Sequence, residues 1–275
     1  MLKTVFIGSK NEFNEVLVHW LAQRTEVAGV VWTSSTAWQR TWGGRLRFAL
    51  RRFRRYGLLK VINETLFFLY YHAYLSSQDE EEKYEQIIKP YRARHGEVAW
   101  GGDSIRTADV NSPEVISFLE ERRPDVALAM CINNYFGKKL RSVPRLGVLL
   151  WHEGITPEYK GLYSPFWAVH NLDFERIGYT VLQMNDKYDA GTIYVQGAAR
   201  GVDPLRHNHG YIGHKAVIDS LPQVEKALAA LEGGTLKPIQ RPEAKPGNYT
   251  YPGITDFIRL RLRLWRLARA QSVTA

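Results

Sequence analysis

Short apolar runs alternate with amphipathic stretches along most of the chain. The first run, residues 3–8, ends at a glycine, and Ser9 is predicted to cap a helix that continues to about residue 24. VAGVVWT is the next predicted strand. This strand-helix-strand order is typical of an open parallel sheet, but it lacks the second and third glycines of a dinucleotide fingerprint. The pattern predicts a doubly wound α/β fold and disfavours NAD binding.

The same alternation returns in the second half of the chain. The predicted strands are EVAW, DVALAMCI, LGVLLW, IGYTVLQM and TIYVQGAAR. The predicted helices are SPEVISFLEERR, a segment that AVHNL closes, and HKAVIDSLPQVEKALAALEGG, which a glycine pair ends. We therefore expect one largely parallel, Rossmann-like domain over residues 1–234 and a short C-terminal extension over residues 235–275.

An arginine-rich segment interrupts this order. Residues 40–75 pass from a basic stretch into the apolar LFFLYYHAYL, which is far shorter than the roughly 20 residues needed to span a bilayer. It is therefore expected to be a buried helix, an oligomer contact or an interfacial segment. A packed helical insertion over about residues 40–95 with a solvated basic face is the simplest interpretation, and contact with lipid or a polyanion is the alternative.

A second basic segment, ITDFIRLRLRLWRLARA, ends the chain. Its arginines at 259, 261, 263, 266 and 269 do not share one helical face, so exposure on two sides is expected. A terminal helix on the domain surface is the favoured interpretation, and a role at a membrane surface is the alternative.

Composition narrows the class of partner and the compartment. The 275 residues include 37 Lys and Arg against 28 Asp and Glu, a net charge of +9, which favours anionic cofactors, phosphorylated substrates, nucleic acid or acidic lipid. The single cysteine, Cys131, excludes an internal disulfide and a cysteine-built metal site. Because the first residues lack the long apolar core of a signal peptide, a cytoplasmic protein is expected.

Two residues at predicted strand ends are candidates for catalysis. His152 ends a buried strand and precedes a loop punctuated by glycines and prolines, and Asp189 lies in a turn after the strand IGYTVLQM. Ligands of open α/β sheets bind beyond the carboxyl ends of the strands, where a carboxylate near an imidazole would orient it and raise its basicity. Turn formation is the alternative role of Asp189.

The ordered motifs around these two residues resemble the 10-formyltetrahydrofolate-dependent formyltransferases, which include the methionyl-tRNA, glycinamide ribonucleotide and sugar-amine enzymes. That family has a histidine at a strand end, then Leu-Pro-x-Tyr-x-Gly-x-x-Pro, Gly-x-Thr and Asp-x-Gly. The matching positions here are His152, TPEYKG at 156–161, Pro165, GYT at 178–180 and DAG at 189–191. The resemblance runs from about residue 125 to residue 197.

The resemblance implies transfer of a formyl group from 10-formyltetrahydrofolate to an amine through a tetrahedral intermediate, with no metal. His152 would stabilise the developing oxyanion, and Asp189 would orient it and help to move the proton of the amine. The residues implied to bind the folate are Met130, Ile132, Tyr135, Phe136 and Tyr188. The residues assigned to the substrate are Glu153, Tyr159, Lys160, Gly161 and Tyr163.

One position departs from the family pattern. The asparagine expected two residues before the histidine is Leu150, which cannot donate a hydrogen bond. Losing one oxyanion donor costs about 3 kcal/mol, or roughly 10²–10³ in rate. Asn133 or Asn134 is a candidate replacement from the neighbouring strand end, and turn formation is the alternative role of both.

The favoured function is therefore N-formylation of a small or carrier-linked amine. An amino sugar fits the basic charge. A tRNA substrate is not favoured, because the methionyl-tRNA branch of the family carries a sizeable C-terminal domain and only about 40 residues follow Gly234 here. Other nucleic acid is not favoured either. A hydrolase that releases formate and a binding protein that has lost turnover are the alternatives, and a homo-oligomer is possible. His207, His209 and His214 are interpreted as surface or capping residues rather than metal ligands.

Overall fold

The computed structural model describes residues 1–34, 42–130, 135–187, 189–241 and 244–274. Its central feature is a seven-stranded sheet in the order β3-β2-β1-β4-β5-β7-β8, in which β5–β7 and β7–β8 are antiparallel and the other pairs are parallel. The strands are β1 Lys3–Ser9, β2 Glu26–Thr33, β3 Ser104–Thr107, β4 Val126–Met130, β5 Val148–His152, β7 Gly178–Gln183 and β8 Ile193–Ala198. The predicted largely parallel sheet is confirmed.

Helices cover both faces of the sheet, as the near-continuous apolar strands require. On one face, α1 (Glu12–Ala22) and α9 (His209–Glu232) pack on a cluster that contains Leu149 and Trp151 of β5. On the other face, α6 (Pro113–Arg122) and α7 (Lys138–Arg141) pack on a cluster that contains Leu150. The alternation along β5 is the period-two pattern of a strand, and the doubly wound fold is confirmed.

Two local predictions were wrong. EVAW is not a strand: the edge strand is β3, whose residues Ser-Ile-Arg-Thr are mostly polar and give little hydrophobic signal. Ser9 does not cap the first helix, because β1 continues through it. Asn11 is the cap instead, and its side-chain oxygen accepts a hydrogen bond from the backbone N–H of Asn14 at 2.8 Å.

The insertion is helical, as expected. It consists of α2 Trp42–Tyr56, α3 Leu58–Tyr74, α4 Ser76–Lys83, a π-helical turn Tyr84–Ile88 and α5 Lys89–His95. Asp79 of α4 anchors it, because this buried carboxylate accepts hydrogen bonds from the backbone N–H of Tyr211 at 3.1 Å and from the Tyr71 hydroxyl. Burial raises the pKa of Asp79 above its usual value. The insertion thus supplies the acidic group at the amino end of α9.

The chain ends in a helix that packs beside the insertion. Leu260 and Leu264 of α10 (Ile254–Thr274) are buried in a cluster with Phe67 of α3 and Phe166 of α8 (Ser164–His170). Two short strands, β6 Lys160–Gly161 and β9 Asn248–Tyr249, join this C-terminal part to the loop that follows β5. The terminal surface helix is confirmed, and the division of the chain near residue 234 stays a prediction.

Within the described ranges, no helix is both long and apolar enough to cross a membrane.

Candidate active site

His152 is the last residue of β5 and lies at the carboxyl edge of the sheet. Its ring is buried, with Nε2 at 2.9 Å from the backbone oxygen of Tyr159 and 3.2 Å from the Ser164 hydroxyl. Because a carbonyl oxygen only accepts, Nε2 carries the hydrogen and the lone pair of the neutral ring belongs to Nδ1. Ser164 also donates to the Tyr159 oxygen at 3.0 Å. The ring is therefore held in one orientation and one tautomer.

A network from the two antiparallel strands fixes the loop that follows His152. The buried Thr180 hydroxyl of β7 donates to the Gly154 oxygen at 2.7 Å and accepts from the Thr156 N–H at 3.1 Å. Gln196 of β8 donates to the Thr156 oxygen at 2.7 Å and to Thr180 at 2.9 Å. The Gly-Tyr-Thr motif thus positions the loop beside the histidine.

Asp189 is bound to the same loop as His152. It has a left-handed backbone with φ of 44°, and its Oδ2 accepts a hydrogen bond from the Gly161 N–H at 2.8 Å. Tyr159 and Gly161, which bond the imidazole and the carboxylate respectively, are two residues apart. Among the described residues no hydrogen bond joins the two side chains directly. The catalytic role of Asp189 stays a prediction.

The two segments assigned to the folate lie next to each other. Arg141 donates through Nε to the Phe136 oxygen at 2.9 Å, and its NH2 group pairs with Asp186 in the turn that leads to Asp189. Phe136 and Met130 are buried in the apolar core, whereas Tyr135 is exposed. Four further candidates, Ile132, Asn133, Asn134 and Tyr188, lie outside the described residues.

The residues assigned to the substrate divide into two groups. Tyr159 and Gly161 are structural in their contacts: the Tyr159 ring stacks on Tyr249 and its hydroxyl donates to Asp173 at 2.9 Å. The Tyr159 backbone, not its ring, therefore faces the histidine. Gly161 has φ of 95°, and a Cβ there would lie 2.3 Å from the Tyr249 oxygen.

Glu153, Lys160 and Tyr163 form the second group and are half-buried. The Glu153 carboxylate lies against α9, where a Cβ on Gly213 would come within 2.4 Å of it. Tyr163 packs near the His209 and Tyr251 rings, and burial raises its pKa to about 12. Their roles toward a substrate stay predictions.

Leu150 lies in the apolar layer two residues before His152. It pairs in register with Ala129 of β4 and Leu182 of β7, and it is 7% exposed. These neighbours are all apolar, so an asparagine here would need a partner for its amide. A leucine therefore fits this apolar layer, whereas an asparagine would leave its amide without a hydrogen-bond partner.

The three C-terminal histidines have separate environments. His207 accepts a hydrogen bond from the Asp203 N–H at 3.0 Å, while the His214 ring packs edge-on against Phe13 and contacts the Gly210 oxygen at 2.7 Å. Burial lowers the pKa of His209 and of His214 to about 4. These two rings are packed, not surface residues. In the described part of the chain, no group of three His, Cys, Asp or Glu residues could hold a metal ion.

Two features, one at the site and one at the β1–β3 side of the sheet, have no counterpart in the sequence predictions. The first is Ser164, whose contact with His152 depends on how the intervening loop folds back. The second is a cavity of about 450 Å³ beyond β1, β2 and β3, which combines hydroxyl groups with two cations. Its lining residues are Ser9, Lys10, Trp32, Thr33, Ser34 and Arg106. The sequence signal that could have indicated this cavity is that these residues lie at or just after the ends of strands.

Comparisons with known proteins agree with the fold and the motifs. Residues 77–205 match the model of the formyl transferase family. A methionyl-tRNA formyltransferase from Thermotoga maritima is 36% identical over 101 residues, which are 37% of this chain and 32% of the relative. The chain covers between 32% and 56% of the lengths of the first three such relatives.

Solved structures show the same architecture at low identity. A sugar N-formyltransferase from Shewanella sp FDAARGOS_354 has a TM-score of 0.54 at 13% identity, over 94% of this chain and 78% of that one. A phosphoribosylglycinamide formyltransferase from Anaplasma phagocytophilum has a TM-score of 0.51 at 12% identity, over 89% and 96%. The resemblance seen in the sequence is confirmed over residues 77–205, which match the formyl transferase family.

Proposed function

We propose that the protein transfers a formyl group from 10-formyltetrahydrofolate to the amine of a small or carrier-linked substrate, for which an amino sugar is favoured. The observation that carries this proposal is the geometry of His152, a buried imidazole at the carboxyl edge of the sheet with a fixed tautomer. The family match over residues 77–205 includes this histidine and Asp189.

In the proposed reaction, the nitrogen of the amine bonds to the formyl carbon, and the bond between that carbon and N10 of the folate breaks. The proton that the amine loses ends on N10. Nε2 of His152 is occupied by the Tyr159 oxygen, so Nδ1 is the ring atom left to act on the reacting groups. Nδ1 accepts the proton that the amine loses, and Nδ1–H then donates to the oxyanion of the tetrahedral intermediate before the proton passes to N10.

Asp189 acts through the loop in this proposal. Its carboxylate binds the Gly161 N–H, and the Tyr159 oxygen two residues earlier binds the imidazole. Asp189 thereby holds in place the loop whose Tyr159 oxygen orients the imidazole. Asp189 is also close in sequence to Tyr188 and Asp186, and Arg141 joins that turn to the Phe136 segment. The arrangement supports the folate site assigned to these two segments.

The cavity beyond β1–β3 supports an anionic acceptor. Lys10, Arg106 and the hydroxyls of Ser9 and Thr33 line it, and such a set suits a phosphate or diphosphate group. A nucleotide-linked or phosphorylated amino sugar would supply both that group and the amine. The fold also resembles that of a sugar N-formyltransferase from Shewanella.

A direct assay tests the proposal. The protein is incubated with 10-formyltetrahydrofolate and a panel that contains a nucleotide-linked amino sugar, a neutral amino sugar and glycinamide ribonucleotide, and both tetrahydrofolate and formate are measured. We expect transfer to be fastest with the nucleotide-linked amino sugar and to fall by about 10²–10³ in His152→Asn. His72→Asn, an exposed histidine of α3, is the matched control.

Two outcomes would contradict the proposal. Formate release at the same rate with and without amines would indicate a hydrolase. Folate binding by titration calorimetry without turnover of any amine would indicate a binding protein. Equal rates for the charged and neutral amines would contradict the anionic acceptor alone.

A further inference from the structure

Three neighbouring helices present large apolar side chains to solvent. On α2 these are Trp42, Leu46, Leu50 and Phe53, on α3 Leu58, Ile62, Leu66 and Leu69, and on α10 Ile258, Leu262 and Trp265, each 44–85% exposed. Their spacing of three or four residues puts each set on one side of its helix. α3 packs against both α2 and α10, so the three stripes belong to one region of the surface.

The exposed stripe of α3 is opposite the face that packs on the domain. Its inward residues are Glu64 and Phe67, which are buried, and Tyr71, whose hydroxyl bonds Asp79. The Phe67 ring packs near Phe166 and Phe257, at 5.6 and 5.7 Å. The helix is therefore already docked through one side, and its second apolar side faces outward.

The positive charge of the chain is concentrated on the same helices. α2, α3 and α10 contain twelve Arg and Lys residues and only two acidic residues, Glu64 and Asp256, while the whole chain has a net charge of +9. The rest of the chain is thus close to neutral. Glu64 is buried and paired with Arg52, and Asp256 accepts from the Gly253 N–H at 2.9 Å. The outward surface is therefore both cationic and apolar.

These two properties together select the partner. A second copy of this surface would bring like charges together, which opposes association. Nucleic acid would pair with the arginines but offers little to exposed leucine and isoleucine side chains. An anionic bilayer accepts both, because apolar side chains enter the boundary between headgroups and acyl chains while arginines bind phosphates.

We propose that α2, α3 and α10 form a surface that binds anionic lipid bilayers, with the helices lying in the plane of the headgroups. The loop after His152 is one layer behind this surface: the Tyr163 ring lies 6.5 Å from Phe67 of α3. Binding would therefore hold the candidate active site near the membrane. This inference concerns binding alone and does not depend on the proposed function.

Co-sedimentation with vesicles tests the proposal. The full chain is mixed with phosphatidylcholine vesicles that contain or lack phosphatidylglycerol, at low and high salt. We expect binding to the anionic vesicles, weaker binding in salt, and little binding to phosphatidylcholine alone. Absence of binding to the anionic vesicles would overturn the proposal.

Two variants separate the contributions of apolar contact and charge. Serine at Leu58, Ile62, Leu66 and Leu69 removes the α3 stripe, and glutamine at Arg47, Arg51, Arg54 and Arg55 removes charge from α2. Each is expected to lower the vesicle partition coefficient by at least about tenfold. The controls are Leu172→Ser with Ile239→Ser, two exposed apolar residues elsewhere, and glutamine at Arg123, Lys139 and Arg145, which line a different surface cavity.

Circular dichroism first verifies that each variant is folded, and the α2 variant provides a second test if the α3 variant is not. Equal loss in variants and controls would overturn the proposal. So would a variant that keeps vesicle binding but loses RNA binding in a filter assay, or one that converts a dimer to a monomer in analytical ultracentrifugation without altering vesicle binding.

Discussion

His152 donates its Nε2–H to the backbone oxygen of Tyr159, seven residues later in the chain, over 2.9 Å. This bond closes the loop after β5 onto the strand end and decides which ring nitrogen remains for chemistry. Because the acceptor is a backbone atom, no side-chain substitution at position 159 removes it. The loop geometry, rather than a neighbouring carboxylate, sets the orientation of the imidazole.

The tautomer of His152 is the first prediction. In ¹⁵N-labelled protein, the neutral ring should show a protonated Nε2 and an unprotonated Nδ1. His214 provides an internal contrast, since its Nδ1 contacts the Gly210 oxygen at 2.7 Å and must carry the hydrogen there. Long-range ¹H–¹⁵N correlation spectra distinguish the two patterns. The same pattern for both rings would contradict the bonding described for His152.

Thr180→Val tests how firmly the loop is held. The substitution keeps the shape but removes a buried hydroxyl that bonds Gly154, Thr156 and Gln196. Unpaired backbone groups then stay buried, so the free energy of unfolding should fall by about 2–4 kcal/mol. Urea denaturation measures it. Thr65→Val, at an exposed position on α3, should change it by less than about 0.5 kcal/mol.

Gly161→Ala should destabilise the protein more than an ordinary glycine substitution. Gly161 has φ of 95° and a Cβ would meet the Tyr249 oxygen at 2.3 Å, whereas Gly201 has φ of 64° and open space around it. We expect losses of at least about 3 kcal/mol for Gly161→Ala and about 1 kcal/mol for Gly201→Ala. Thermal unfolding of both variants provides the comparison. Equal losses of stability would contradict this prediction, because they would show that the β6–β9 contact accommodates the added Cβ without a further loss of stability.

Much of the fold was predictable because the inner strands are continuous apolar runs. β4 and β5 are buried at every position, and their sequences VALAM and VLLWH leave few other structures open. β3 was missed because an edge strand can be short and polar. The cap at Asn11 was missed because the sequence does not show how far β1 extends.

The candidate site was predictable only in its outline. Motif spacing located His152, Thr180 and Asp189, but the bonds that join them are made through backbone atoms of a loop. Ser164 illustrates the limit, since its hydroxyl reaches His152 only after twelve residues of chain have turned back. The outward apolar side of α3 was likewise hidden, because periodicity does not say which face packs.

Leu150→Asn restores the residue type that the family resemblance leads one to expect. Leu150 is packed beside Ala129 and Leu182, so the new amide would be buried among apolar groups. We expect the free energy of unfolding to fall by about 1–3 kcal/mol without any gain in formyl transfer. Leu150→Met, which keeps an apolar side chain, is the control. A faster Leu150→Asn enzyme would show instead that the site works with a missing donor.

Stability should decline in mild acid because two packed histidines resist protonation. Burial lowers the pKa of His209 and of His214 from 6.5 to about 4 in the folded protein. Around His214, Lys83 lowers the pKa further, while Glu80 and the Gly210 oxygen oppose that shift. Between the unfolded pKa of 6.5 and the folded pKa of about 4, the unfolded chain binds more protons than the folded one. The stabilisation present above pH 6.5 is therefore lost as the pH falls toward 4.

The size of this loss is on the order of 3 kcal/mol for each histidine over the full window. His209→Phe should flatten the dependence, because the new ring fits beside Phe67, Tyr71 and Phe166 and cannot titrate. Urea denaturation at several values from about pH 7 to about pH 5 measures the slope. His72→Phe, at an exposed position on α3, should keep the wild-type slope. If His209→Phe kept the wild-type slope, His209 would make no contribution to the pH dependence. The His209 ring of the wild-type protein would then titrate equally in the folded and unfolded states.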